Sequence, residues 1–287
     1  MANILVTGAS GQLGTELRNR GFSLLDEVFY TDIEELDITN ANAVCAFIEN
    51  HDIDTIINCA AYTAVDLAED NEEKARKINR DAVENLAKAA VRYGCLLIHI
   101  STDYVFDGCA EEPYTEKSPT NPQSVYGLTK LEGEKIIKKS GCIYIIIRTA
   151  WLYSPYGHNF MKTIYKLAHE KKEIGVVNDQ WGSPTYAGDL ADMIIRMMEC
   201  DELPELEGIY HFTNEGKCTW FDFAKEIVAL SGCDCEVKPL TTGEYPTKAK
   251  RPAYSVLDKS KIKKIFGCEI REWQEALKSC MITFEER

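Results

Sequence analysis

The sequence predicts an α/β fold: a doubly wound parallel sheet followed by a smaller α/β lobe. Three observations predict it. Four apolar runs separated by helical patterns precede residue 101. A glycine-rich turn marks the first strand-to-helix junction. Residues suited to binding fall at the carboxyl ends of the runs, where open parallel sheets hold their ligands.

The first unit reads NILVTGASGQLGTELRNR, a short strand, a turn and a helix. Gly8, Gly11 and Gly14 form G-x-x-G-x-x-G. Glycines allow a tight turn and a close backbone approach, and the free amides of the following helix suit a pyrophosphate. The spacing therefore predicts a dinucleotide site. The second run, VFYTD, ends at Asp32. An acid there can accept from an adenosine ribose and disfavours a 2′-phosphate, which tilts the site toward NADH; the plain alternative is a solvated loop acid. Asp37 and Ile38 open the next loop, placed to flank an adenine. Thr39 or Asn40 caps a helix over 40–50. Thr55 to Asn58 is the third strand, and the small residues Ala60 and Ala61 after it let a flat ligand lie close. A helix over 71–93 carries Ile78, Val83, Leu86 and Ala90 on one face, before a fourth strand at 96–100.

Ser101 and Thr102 lie just past that run, where the strand should end and a hydroxyl can bond a substrate oxygen. Tyr126 and Lys130 stand four residues apart, on one helical face. An ammonium beside a phenol favours the phenolate, so the pair predicts a proton donor or acceptor usable near neutral pH. Tyr-x-x-x-Lys alone is a weak signal; the glycine turn upstream gives it weight. The intervening loop 107–122 holds Gly108, Pro113, Pro119 and Pro122, so it is expected to be irregular and to lie over the site. A fifth strand spans 143–149.

After Tyr153 the pattern changes to shorter elements. The reading is a nucleotide-binding domain over 1–150, with 185–212 returning to it, and a substrate lobe from 151–184 and 213–287. The five histidines lack ligand spacing, and His99 inside LLIHI reads as a core residue. Trp181 and Trp220 read as packing, and Tyr104 as strand-end core or sugar contact.

Forty-six acidic and thirty-two basic residues leave a formal charge of −14. Such a chain repels phosphate backbones, which argues against nucleic acid. No apolar run approaches the ~20 residues of a membrane span. The chain opens directly on a strand, and its eleven cysteines are scattered without motif spacing, so the expected location is cytoplasmic with free thiols.

Taken in order, TGASGQLG, NCAAYTAVDLAE, STDYVFDG, VYGLTKLEGEK, RTAWLY, NFMKTI, NDQWGSPT and YPTKAKRP resemble the extended short-chain dehydrogenase/reductases, and within them the dTDP-4-dehydrorhamnose reductase family. The resemblance implies a Rossmann-type fold and reduction of a dTDP-sugar C4 ketone by NADPH or NADH. It implies that Ser10, Gly11, Gln12 and Leu13 line the pyrophosphate, and that Ala61, Tyr62 and Thr63 pass the ribose and nicotinamide. Tyr126 would protonate the C4 oxygen, Lys130 would hold the nicotinamide ribose, and Thr102 would bond the ketone. Asp103, Tyr104 and Trp151 are the implied sugar contacts, and Arg251 the implied diphosphate contact. Some relatives form magnesium-bridged dimers through glutamates. Glu16 matches the first, but Gly188 stands where the second belongs, so no metal is expected, Glu16 reads as a helix-surface acid, and monomer or homodimer stays open.

Rivals share the fold. A 4,6-dehydratase needs an Asp-Glu pair after the threonine, but Tyr104 follows Asp103. An epimerase also uses Tyr-x-x-x-Lys but lacks the Trp151 and NDQWGSPT segments. A non-catalytic NADP-binding regulatory subunit is the rival from another class.

Overall fold

A computed structural model describes residues 2–200 and 202–287. Along the first half run β1 (Asn3–Thr7), α1 (Gln12–Arg20), β2 (Glu27–Thr31), α2 (Ala41–Asn50), β3 (Thr55–Asn58), α3 (Val65–Asp70), α4 (Glu72–Arg76), α5 (Ala82–Tyr93), β4 (Leu96–Thr102), α6 (Val125–Ser140) and β5 (Tyr144–Thr149). The second half adds β6 (Leu152–Tyr153), α7 (Phe160–Glu170), β7 (Glu173–Val177), β8 (Trp181–Gly182), β9 (Thr185–Tyr186), α8 (Ala187–Met198), β10 (Gly208–His211), β11 (Cys218–Thr219), α9 (Trp220–Ser231), β12 (Glu236–Leu240), α10 (Ser260–Phe266) and α11 (Trp273–Glu285).

Six strands form one parallel sheet in the order β10-β5-β4-β3-β1-β2. Strand alternation sends Ile4 and Val6 to one face and Leu5 to the other. The first face is covered by Leu13 and Leu17 of α1, Leu190 and Ile194 of α8, and Ile262 and Phe266 of α10. Val44, Ile48, Val83, Leu86 and Ile137 from α2, α5 and α6 cover the other. Burial on both faces explains why the central strands read as continuous apolar runs. Sequence order reverses between β1 and β3, the switch point at which such sheets bind ligands.

A smaller lobe packs α7, α9 and α11 around Met161, Ile164, Phe223, Ile227, Trp273 and Leu277, beside the parallel pair β7–β12. Thr219 and Asp222 form a reciprocal capping box that starts α9. The chain crosses between lobes more than once: β10 pairs with β5, and α8 packs on the main sheet. The tail, expected wholly in the smaller lobe, also returns, because the apolar side chains of α10 complete the first face.

Two local expectations change, and one open alternative is resolved. The helix over 71–93 is divided into α4, a π-helical turn over Lys77–Asp81, and α5. Asn40 rather than Thr39 caps α2, accepting from the amides of Asn42 and Ala43. The loop 107–122 does not cover the cleft described below. It is pinned to 252–258, where Tyr114 N–H donates to the Val256 carbonyl (2.9 Å), Asp258 N–H donates to the Tyr114 carbonyl (2.8 Å), and Phe106 stacks on Tyr114. Among the described residues no helix is long and apolar enough to cross a membrane. All eleven cysteines are free.

Candidate active site

The carboxyl ends of β1, β3, β4 and β5 open into one cleft of about 780 Å³, closed on its far side by the smaller lobe. Its floor is the glycine turn. Gly8 has φ +65°, and a Cβ there would sit 2.7 Å from the Ala60 backbone. That contact brings the turns after β1 and β3 together. At Gly14 an added Cβ would meet Ala9 at 2.5 Å, so α1 packs directly on the turn. The N-terminus of α1 carries no side-chain cap and no acid in its first turn. Its free amides and positive dipole end therefore face the cleft unopposed, which fits a pyrophosphate.

Gly8, Gly11, Gln12, Leu13, Gly14, Asp32, Asp37, Ile38, Ala60, Ala61 and Thr63 all line this cleft. Asp32 Oδ2 accepts from the Ser10 amide at 3.1 Å, so Ser10 shapes the turn through its backbone. Asp37 accepts from the Thr39 hydroxyl (2.7 Å) and amide, which hold its carboxyl below the usual range. Tyr62 does not line the cleft. Its main chain is clamped by Asn79 of the π-turn, which accepts from its N–H (2.8 Å) and donates to its carbonyl (3.1 Å). Asn79 also donates to Thr129 of α6, so one buried amide sets the height of the 59–64 loop. The helix break that frees Asn79 left no mark in the apolar periodicity.

Thr102, Asp103, Tyr104, Tyr126 and Lys130 meet at the end of β4. Gly127 lets α6 approach: a Cβ there would lie 2.2 Å from the Tyr104 carbonyl. Thr102 Oγ1 donates to Asp103 Oδ1 at 2.9 Å and accepts from the Tyr104 amide. Asp103 is buried, and burial pushes its carboxyl up to about 6 against the pull of Ser255 and Thr102. The Tyr104 and Tyr126 rings meet edge-on at 5.5 Å. Burial raises the Tyr126 phenol well above its ordinary value, although the Thr102 hydroxyl pulls the other way.

This corrects the expected pairing. Lys130 does not stabilise a Tyr126 phenolate here. Its Nζ donates to the Ile100 carbonyl at 2.6 Å and lies 3.2 Å from His99 Nε2. A buried amine needs partners, and the β4 backbone supplies them. Burial brings Lys130 down to about 8, against the pull of Glu134 and Cys59.

The opposite wall is aromatic. Trp151 lies in the left-handed region at φ +50°, and its indole stacks on Trp220 at 3.6 Å and 12°. Phe160 packs against Trp220 at 4.6 Å. Gly182 makes room, since a Cβ there would stand 2.5 Å from the Trp151 ring. Trp220, expected to be plain packing, lines the cleft. It opens α9 directly after the cap Thr219, and its ring lies on Trp151. Arg251 lies outside the cleft lining. It pairs with Asp66 of α3 and donates to Tyr104 Oη at 3.2 Å, so it braces Tyr104 rather than facing the cleft.

The residues present do not fit a metal at Glu16. That side chain is 2 % exposed, not on the surface, because it faces the smaller lobe and pairs with Arg20 one turn on. At Gly188 a Cβ would meet the Arg20 guanidinium and the Tyr186 ring. Arg20 thus fills the place a second ligand would need. Among the described residues no cluster of three metal-ligating side chains occurs.

A family model described as the RmlD substrate binding domain matches residues 1–286. The dTDP-4-dehydrorhamnose reductase of Aggregatibacter actinomycetemcomitans is 44% identical over 97% of this chain and 98% of its own. A crystal structure of a dTDP-4-dehydrorhamnose reductase from Clostridium acetobutylicum superposes with a TM-score of 0.94, at 46% identity over 99% of both chains. One from Bacillus anthracis, in complex with NADP, gives 0.94 at 38% identity, over 98% of this chain and 99% of that one. With its parallel sheet, its glycine-floored cleft and these full-length likenesses, the chain belongs to the dTDP-4-dehydrorhamnose reductase family of extended short-chain dehydrogenase/reductases.

Proposed function

We propose that this chain reduces the C4 ketone of dTDP-4-dehydro-L-rhamnose to the alcohol of dTDP-L-rhamnose, using NADPH or NADH. The observation that carries it is the meeting of the uncapped α1 amides with Tyr126, Thr102 and Lys130 in one cleft. When bound, the nicotinamide supplies the hydride; the residues below supply everything else.

The amides after Gly11 hold the pyrophosphate, and Asp32 and Asp37 face the adenosine. Ala60 and Ala61 leave room for the ribose and nicotinamide. Tyr126 acts as the proton donor at the ketone oxygen: a phenol kept protonated by burial holds its proton until an oxyanion develops beside it. Thr102 positions that oxygen. In the resting arrangement its hydrogen goes to Asp103, so a protonated Asp103 would free Thr102 to donate to substrate. Trp151 and Trp220 form the slab against which the sugar lies, with Tyr104, braced by Arg251, on the facing wall. Soluble nucleotide substrates support a cytoplasmic location, and the Glu16–Arg20 pair argues against a metal-bridged dimer. The 1–150 segment with β10 and α8 would carry the nucleotide, and the α7–α9–α11 lobe the sugar.

Nucleotide oxidation with dTDP-4-dehydro-L-rhamnose tests the proposal. Wild type should turn over, and Tyr126→Phe should lose roughly 10²–10⁴ in kcat while keeping its nucleotide affinity. No turnover of verified substrate by wild type would leave the regulatory-subunit reading. Full activity in Tyr126→Phe would refute the proton donor.

A further inference from the structure

Lys130 ends a chain of buried hydrogen bonds whose direction is set by one main-chain donor. The Ala60 N–H points at Asn58 Oδ1 at 3.2 Å, and a main-chain N–H can only donate. Thr7 Oγ1 donates to the same oxygen at 2.7 Å. These two contacts orient the Asn58 amide, with Oδ1 accepting and Nδ2 donating. Asn58 Nδ2 lies 2.9 Å from His99 Nδ1, which is therefore a bare acceptor. His99 has no exposed surface, and burial, reinforced by Lys130, holds its ring neutral. A neutral imidazole with a bare Nδ1 carries its proton on Nε2.

That proton faces Lys130 Nζ at 3.2 Å. An ammonium has three donors and no acceptor, so it cannot receive it. An amine can: its lone pair accepts from His99 Nε2–H while one N–H donates to the Ile100 carbonyl.

We propose that His99 is a positioning residue: its Nε2–H tautomer holds the uncharged form of Lys130 against β4, and protonation releases Lys130 into the cleft. Release consumes one proton from solvent, converting the amine to the ammonium, and changes no other bond. The charged or titratable groups facing Lys130 are Glu134 and Tyr126 on its own helix, His99 on β4 and Cys59 after β3. With Lys130 brought down to about 8, both of its forms are accessible near physiological pH. A ribose acceptor would favour the ammonium, so nucleotide binding above that pH would be coupled to proton uptake. This last consequence rests on the reductase reading; the pose in the free chain does not.

Nitrogen-15 NMR of the free wild-type chain reads the tautomer directly, with the His99 signal assigned by its loss in His99→Asn. A neutral ring protonated at Nε2 is expected; a charged ring, or a proton on Nδ1, overturns the proposal. The Lys130 side-chain signal should titrate near pH 8 in wild type. It should titrate at higher pH in His99→Asn, which keeps an acceptor for Asn58 but has no N–H at the Nε2 place. In His99→Gln, whose amide can present that N–H, it should move back toward wild type. A Lys130 that titrates in the ordinary lysine range in wild type, or unchanged in His99→Asn, overturns the proposal. If His99→Asn does not fold, His99→Gln and the assignment of the remaining four histidines still give the wild-type reading. Calorimetry of NADPH binding in buffers of different ionisation enthalpy, at pH 9, should show uptake approaching about one proton per nucleotide. Tight binding without uptake overturns the release step, whereas absence of binding fails the reductase reading and leaves the NMR result standing.

Discussion

Replacing Glu134 by glutamine removes a charge on which three groups depend. Arg148 donates from Nε and Nη2 to its two oxygens at 2.9 and 2.6 Å, and Ser101 Oγ donates to Oε1 at 2.6 Å. The two side chains are 1 % and 3 % exposed, and the guanidinium also lies over the Phe106 ring. Removing one partner of such a buried pair costs about 3–5 kcal/mol, because the other charge stays in a dry site. An unfolding entropy of about 2.1 cal/mol/K per residue gives roughly 0.6 kcal/mol/K for a chain of 287 residues. The expected fall in Tm is therefore roughly 5–8 °C, with a matching loss in urea unfolding. The double variant Glu134→Leu, Arg148→Met leaves no charge behind and should recover most of the loss. A single variant within about 1 kcal/mol of wild type would refute the reasoning, and so would a double variant no more stable than the single. Glu134 also pulls the Lys130 pKa upward. In Glu134→Gln the Lys130 titration should accordingly move to lower pH.

Three further outcomes follow from the cleft. Asp32→Ala should shift the kcat/KM ratio toward NADPH, by removing the acid that opposes a 2′-phosphate; strong NADPH preference in wild type would count against that role. Gly8→Ala adds strain of roughly 1–2 kcal/mol at φ +65° and a clash with Ala60, so nucleotide Kd should rise sharply; wild-type affinity would show that the turn is not the floor of the site. Asp103, raised from 3.8 to about 6, binds its proton more tightly folded than unfolded. Its contribution therefore favours folding at low pH and is lost as pH rises through 6, about 3 kcal/mol in all. Asp103→Asn should lack that slope, so the difference between the two proteins' stabilities should change by about 3 kcal/mol across pH 4–6, and parallel curves would refute the raised carboxyl.

The strands were legible because each obeys a local rule. The third strand, Thr55–Asn58, was read to the residue: it is buried on both faces, so its central Ile56 and Ile57 run together without alternation. The glycine turn was legible because close approach forbids side chains at fixed spacing. What escaped depends on through-space partners. Glu16 has the spacing of a surface acid, and only the return of Tyr186 and Gly188 past α1 buries it. The pose of Lys130 depends on Asn58 and Thr7, which lie on two other strands. Trp151 and Trp220 are brought together by the packing of α9, which no short window contains. The loop 107–122 was read correctly as irregular, but its prolines could not say that it would pair with 252–258.

The late arrival of β10 and α8 has a consequence for how the chain reaches its native state. Until residues 187–212 emerge, the outer edge of β5 offers a row of unpaired amides and carbonyls, and one face of the sheet lacks Leu190, Ile194 and Tyr210. A nascent chain that has completed β5 is therefore an open, sticky template. A fragment ending at residue 150 would carry every glycine of the nucleotide turn, yet it would aggregate rather than bind. In this chain the nucleotide floor is synthesised well before the elements that secure it.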